Sequence, residues 1–216
     1  MMNNKPFVFH KFFYIPFDSL FSTHSEYASL LSIKKTFNNN NDCYIEFCSG
    51  NGQWIVNKAI NNPKINWIAV EKKFSRAFKI YKKLINNNLP NLLIINTDGG
   101  VLHNYLPLNT IKNIYINFPD PWPKRKHLKH RLINFDFLKN LQKYLQKDSS
   151  IIISTDDINL INYTLKIFLE SNLFQSYFAS PFYTNDWTNY GDSFFKNLWL
   201  SKNKKIYYLK FIKKID

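Results

Sequence analysis

The sequence predicts an α/β fold: a mostly parallel sheet with helices on both faces. Three observations carry this. Short strand candidates without polar alternation recur along the chain, as strands buried on both faces require. Between them lie segments whose apolar residues return every three or four positions, the period of an amphipathic helix. Each of the first five strand candidates also delivers an acid near its carboxyl end, the edge where open α/β sheets hold ligands.

Taken in order, the asparagine run 38–41 is a polar break, and Cys43 to Phe47 is the first strand of the alternating pattern. It ends in Ser49-Gly50-Asn51-Gly52, after which a helix runs to about Ile60 and stops near Pro63. Trp67 to Val70 is the second strand and closes on Glu71. Phe74, Ala77, Phe78, Tyr81, Leu84 and Ile85 form one apolar helix face, broken at 86–90. Leu92 to Ile95 is the third strand, with Asp98 beyond it. Asn113 to Phe118 is the fourth and runs into Pro119-Asp120-Pro121-Trp122-Pro123. Phe135, Leu138, Leu141 and Leu145 mark the next helix, and Ser150 to Ser154 the fifth strand, ending at Thr155-Asp156. Ile158, Ile161, Leu165 and Phe168 mark a further helix, and Ile206 to Phe211 a last strand. The aromatic-rich stretches 1–40 and 175–203 read as lids or RNA-facing loops.

The chain has 216 residues, of which 45% are hydrophobic and 18% aromatic. That excludes a disordered chain and suffices for one core without staples. No window reaches the roughly 18 apolar residues of a membrane span. Cys43 and Cys48 lie in a strand and the turn after it, poor geometry for a mutual bridge, so a reducing compartment, the cytoplasm, is expected. Phe7 to Phe17 is apolar but interrupted by His10, Lys11 and Pro16, and reads as a packing segment rather than a leader. The net charge of +14 points to a polyanionic partner, nucleic acid first. A Lys/Asn/Ile/Phe bias of the kind an AT-rich coding sequence imposes discounts that total. The scarce cation is more informative: of three arginines, Arg125 and Arg131 lie within Lys124 to Arg131.

The acids of the strand edge point to a cationic ligand. Glu71 follows Gly50 by 21 residues, the position from which an acid holds ribose hydroxyls. The first turn lacks the third glycine of a dinucleotide site, and Glu46 would repel a pyrophosphate. Glu46 suits the cationic end of S-adenosylmethionine, and Asp98 is placed to accept from an adenine amino group. The fourth strand then releases three prolines around Asp120 and Trp122, followed by Lys124, Arg125, Lys126, His127, Lys129, His130 and Arg131. The prolines stiffen the turn, and the basic run lies beside the donor site. With no acid or cysteine next to His127 and His130, phosphate or water contacts rather than metal ligation are expected there.

On the Glu46 to Gly52 loop, Glu71, Asp98, the Phe118 to Lys124 signature with its basic continuation, and Ser154-Thr155-Asp156, the chain resembles the bacterial tRNA (guanine-N7)-methyltransferase family. The resemblance covers roughly 43–173, and its 118–124 signature is specific to that family. It implies a Rossmann-like class I methyltransferase fold with a seven-stranded sheet over 41–216, preceded by an N-terminal extension, 1–40. It implies S-adenosylmethionine as donor and tRNA as partner, with the variable-loop guanine at position 46 as acceptor, in a monomer or homodimer without metal.

Carried over by motif, the resemblance implies a cofactor site of Glu46, Gly50, Gly52, Glu71, Asp98 and Asp120, with Asp120 also catalytic. Lys124 and Asp156 would contact substrate, and Arg125, Lys126, His127, Lys129, His130 and Arg131 the RNA. The family's substrate segment before the last strand has its nearest match in Asp192-Ser193-Phe194, an imperfect one. Cys48 stands where the family has a glycine and would have to adopt a positive φ. Rival readings are a non-enzymatic RNA-binding protein on a decayed methyltransferase scaffold, an amino-methyltransferase and a nicotinamide dehydrogenase. The missing Asn/Asp-Pro-Pro-aromatic turn and the missing third glycine weigh against the last two.

Overall fold

The computed structural model describes residues 7–16 and 33–214. Nine strands form one sheet: β1 (Phe7–Phe9), β2 (Phe12–Tyr14), β3 (Cys43–Phe47), β4 (Asn66–Glu71), β5 (Leu92–Asn96), β6 (Ile111–Asn117), β7 (Leu145–Thr155), β8 (Phe174–Ser176) and β9 (Tyr207–Lys213). Their spatial order is β1-β2-β5-β4-β3-β6-β7-β9-β8. Strands β3 to β7 share one direction through parallel pairings, and β9 runs antiparallel between β7 and β8. These seven are the expected sheet, and β1 and β2 extend it past β5.

The helices are α1 (Ile33–Phe37), α2 (Gln53–Asn61), α3 (Phe74–Asn86), α4 (Phe135–Tyr144), α5 (Ile158–Ser171) and α6 (Phe194–Leu200). Side chains alternate sides along each strand, so neighbouring core residues divide between two clusters. Trp67, Leu92, Ile94 and Ile152 pack with Trp54 and Ile55 of α2 and Ala77 and Ile80 of α3. Ile68, Leu93, Ile95, Ile151 and Ile153 pack with Leu138 of α4 and Ile161 and Phe168 of α5. Both faces are covered, which is why these strands carry no polar alternation. Among the described residues no helix is long and apolar enough to cross a membrane.

The N-terminal strands explain a detail of α3. Its apolar stripe is wider than one sheet contact needs. Ala77, Ile80 and Leu84 are buried, while Phe78 and Ile85 keep nearly half of their surface exposed. The rings of Phe74, Phe78 and Tyr81 instead receive Phe12 edge-on at 5.6–6.4 Å, and Tyr81 also meets Phe9. Of the stretch 1–40 read as a lid or RNA-facing loop, residues 7–9 and 12–14 are thus sheet edge. Residues 17–32 lie outside the described residues. Within 175–203 the structure has the end of β8, a 3₁₀ turn at Thr188–Tyr190, and α6.

Candidate active site

Four carboxylates meet at the turn after β3. That turn is left-handed at Cys48 (φ 60°), Gly50 (56°) and Gly52 (75°), so the non-glycine residue does adopt the conformation expected of it. The half-buried Cys48 thiol is pushed well above its ordinary range, first by burial and then by the charges of Glu71, Asp120, Glu46 and Asp98. Acids from four strand ends therefore lie around one turn.

Each acid is held differently. Glu46 is 2% exposed, and Asn117 Nδ2 donates to its Oε1 at 2.6 Å. Asn117 Oδ1 accepts from Ser154 Oγ at 2.8 Å and from the Tyr190 hydroxyl, while Trp54 Nε1 donates to the Tyr190 carbonyl at 2.8 Å. Burial pushes Glu46 up to about 7; hydrogen bonds from Asn117 and Ser49 pull it back, and the charge of Glu71 adds to the rise. Glu46 Oε2 is buried with no hydrogen-bond partner among the described residues. A buried acceptor without a donor is costly, and here it is an acceptor suited to a cationic ligand.

Glu71 accepts through Oε2 from the Gly50 amide and through Oε1 from the Lys73 amide, both at 2.8 Å. It ties the Cys48 turn to the end of β4, and each oxygen keeps further acceptor capacity. Asp98 caps the 3₁₀ turn Gly99–Asn104 by accepting from Gly100 N, and pairs with Lys72 at 2.7 Å. Asp120 is exposed in the proline turn, which is left-handed at Phe118 (φ 47°) and Trp122 (43°).

The two glycines do different work. A Cβ on Gly50 would sit 3.7 Å from Phe195, ordinary contact at the mouth of the site. A Cβ on Gly52 would meet Ile80 of α3 at 2.7 Å. Gly52, expected in the cofactor site, is thus also a packing glycine that lets α2 and α3 approach.

Beyond the turn, α6 closes the site. Ser193 caps the helix by accepting from the Lys196 amide at 3.0 Å. Ser193, Phe194 and Phe195 join Glu46, Gly50 and Phe118 around a cavity of about 20 Å³. Of the segment expected to contact substrate, Ser193 and Phe194 are at the site, while Asp192 points to an ion pair with Lys196. Asp156 pairs with Lys204 at 2.5 Å, and it is Asp157 that caps α5. The sequence reading missed Asn117, Tyr190 and Phe195. Asn117 had a signal, a polar residue ending an apolar strand beside Glu46. Tyr190 and Phe195 had none, since they arrive from a segment without periodicity.

The basic run forms a 3₁₀ turn, Arg125–His130, with no buried residue. Lys124, Arg125, Lys126, Lys129 and His130 are exposed, and the rings of His127 and His130 pack near Trp122 at 5.6 and 5.3 Å. Arg131 departs from the RNA-facing expectation. It is 8% exposed, its Nε donates to the Pro121 carbonyl at 2.8 Å, and its guanidinium lies 4.3 Å over the Tyr163 ring. Arg131 braces the proline turn from beneath.

Residues 40–209 match the family described as "Putative methyltransferase". The tRNA (guanine-N(7)-)-methyltransferase of Chlamydia abortus is 40% identical over 185 residues, 85% of this chain and 82% of the relative. The chain belongs to the tRNA (guanine-N(7)-)-methyltransferase family. The Chlamydia trachomatis member is 36% identical over 97% of this chain and 92% of its own length, and the Streptococcus uberis member 35% over 76% and 80%. Among solved structures, the 16S rRNA methyltransferase KamB superposes with a TM-score of 0.63 at 14% identity, covering 85% of this chain and 93% of that one. An antibiotic-related methyltransferase gives 0.62 at 18% identity, covering 85% and 92%. At such identities these two speak for the fold alone. They agree in overall fold, and family membership makes the chain a methyltransferase.

Proposed function

We propose that this chain transfers a methyl group from S-adenosylmethionine to N7 of the variable-loop guanine at position 46 of tRNA. The observation that carries the reading is the gathering of Glu46, Glu71, Asp98 and Asp120 around the Cys48 turn, with the exposed lysines of 124–129 on the adjoining loop. A protein of net charge +14 has set four of its fifteen acids around one turn, where a cationic donor would sit. Glu46, with its partnerless buried oxygen, takes the cationic methionine end. Glu71 takes the ribose hydroxyls and Asp98 the adenine amino group.

Guanine N7 carries an unshared pair and no proton, so no general base is needed to make the nucleophile. The donor supplies an activated methyl group, and the protein's task is alignment, which can be worth on the order of 7–11 kcal/mol. Asp120, on the proline-stiffened turn, orients the guanine by accepting from its N1 or N2 hydrogens and offsets the positive charge developing on the ring. Lys124 and Asp156 border the base, and Arg125, Lys126, Lys129 and the two histidines hold phosphates. N7 faces the major groove of a stacked duplex, so the target must be open in a loop or displaced. Incubation with labelled S-adenosylmethionine and unmodified tRNA, followed by chemical cleavage at N7-methylguanosine, tests this. Cleavage in the variable loop is expected; no incorporation, or label at another position, overturns it.

A further inference from the structure

A second cleft opens beside the reaction edge. The chain entering β9 lies at the carboxyl end of β7, since Tyr207 pairs with Thr155. Between residues 185–188 on one side and α6 with residues 204–206 on the other lies a cavity of about 360 Å³. Its floor includes Trp187, Ile206 and Tyr208, and Trp187 is fixed by ring contacts of 5.5 Å to Tyr190 and 5.9 Å to Tyr208. Its walls carry Lys196, Lys204 and Lys205, with Asp186 as the one carboxylate among the lining residues. Lys196 is taken up by Asp192. Lys204 bridges to Asp156 and lies 4.0 Å over the Trp199 ring. Lys205 is exposed at the mouth.

An aromatic floor under a cationic mouth is the chemistry that holds an unstacked nucleotide, with base against ring and phosphate against ammonium. The volume falls in the range of small-ligand sites, roughly 300–1,000 Å³. Lys204 lines this cleft and pairs with Asp156, just past the carboxyl end of β7 and one of the substrate contacts proposed above, so a chain leaving the reaction site along this edge would bring its next nucleotide to the cleft. We infer that the cleft binds the nucleotide adjoining the target guanine, with its base on the Trp187 floor and its phosphate at Lys205. The inference rests on the tRNA reading above.

The test uses the full chain, an unmodified tRNA transcript and two surface variants. Lys205→Ala removes the phosphate contact; Thr188→Trp, at an exposed lining residue, fills the cleft without changing charge. Lys205→Ala should raise the KM for tRNA about three- to tenfold with kcat within about twofold. It should also reduce the slope of log affinity against log salt by roughly 0.7–0.9. Thr188→Trp should raise KM with the slope unchanged, and calorimetric affinity for S-adenosylmethionine should stay at the wild-type value in both. Wild-type KM and slope in both variants, with an active wild type, overturn the cleft assignment alone. A wild type that fails to methylate the transcript overturns the reading on which it rests.

Discussion

The two sides of the reaction edge are built on opposite principles. On the donor side Glu46 is 2% and Glu71 6% exposed, and both are gripped by side-chain or backbone donors. On the basic side Lys124, Arg125, Lys126 and Lys129 are exposed on a turn with no buried residue. Burying a charge costs several kcal/mol unless it is partnered, so each buried acid comes with hydrogen-bond donors of its own, and its loss is expected to show in donor binding rather than in the fold. An exposed lysine carries no such penalty, and its contribution to a polyanion is one increment among several. The donor side concentrates its function in single atoms; the basic side spreads it.

That contrast is broken most sharply at Asp120, which stands between the two sides, exposed like a lysine but fixed by prolines. Asp120→Ala should lower methyl transfer by about 10²–10³-fold, with donor affinity within about threefold by calorimetry. A loss confined to donor binding would move Asp120 into the donor group and leave the reaction without a carboxylate of its own.

Glu46→Gln sharpens the donor half. Gln keeps an acceptor for Asn117 but removes the charge, so donor affinity should fall by about ten- to a hundredfold. Stability should move the other way. An unfolded chain gives up this proton near its ordinary 4.5 and the folded one near 7, so the folded state holds more protons in between. Stability therefore falls as pH rises through that window and stays lowered above it, by about 3 kcal/mol from this group. Urea unfolding at pH 8 should find Glu46→Gln more stable than wild type and at pH 4 the difference gone. If the donor requires the carboxylate, wild-type affinity should be about tenfold weaker at pH 6 than at pH 8. Affinity flat across that range would show that Glu46 does not meet the donor's cationic end.

The same contrast decides what was legible in the sequence. Strands β3 to β7 and helices α2 to α5 announce themselves because both faces of the sheet are buried, and a run such as Leu92–Asn96 has no other use. The acids were legible because each ends such a run. The elements that escaped are short or lack a period. β1 and β2 have three residues each, β8 has three, and α6 begins with the exposed Phe194. The Asn117–Tyr190 bond spans 73 residues, and only the folded chain creates it. Arg131 was misread for a related reason. In sequence it continues a basic run, while in the fold the turn at 125–130 brings it back beneath Pro121.

Arg131 and Lys126 give the smaller effects and the cleanest internal control. Arg131→Ala leaves the Pro121 carbonyl without its donor and uncovers Tyr163. It should lower stability by about 1.5–3 kcal/mol while leaving the salt slope of tRNA binding unchanged. Lys126→Ala should do the reverse, with unfolding unaltered, tRNA affinity about two- to fivefold weaker, and a slope shallower by roughly 0.7–0.9. The two residues lie five positions apart in one basic run, yet one is buried beneath Pro121 and the other is exposed. If Arg131→Ala flattens the slope as Lys126→Ala does, burial has been the wrong guide and the whole run is one RNA-facing surface. If neither does, the phosphates are held elsewhere, and the cleft at Lys205 becomes the first place to look.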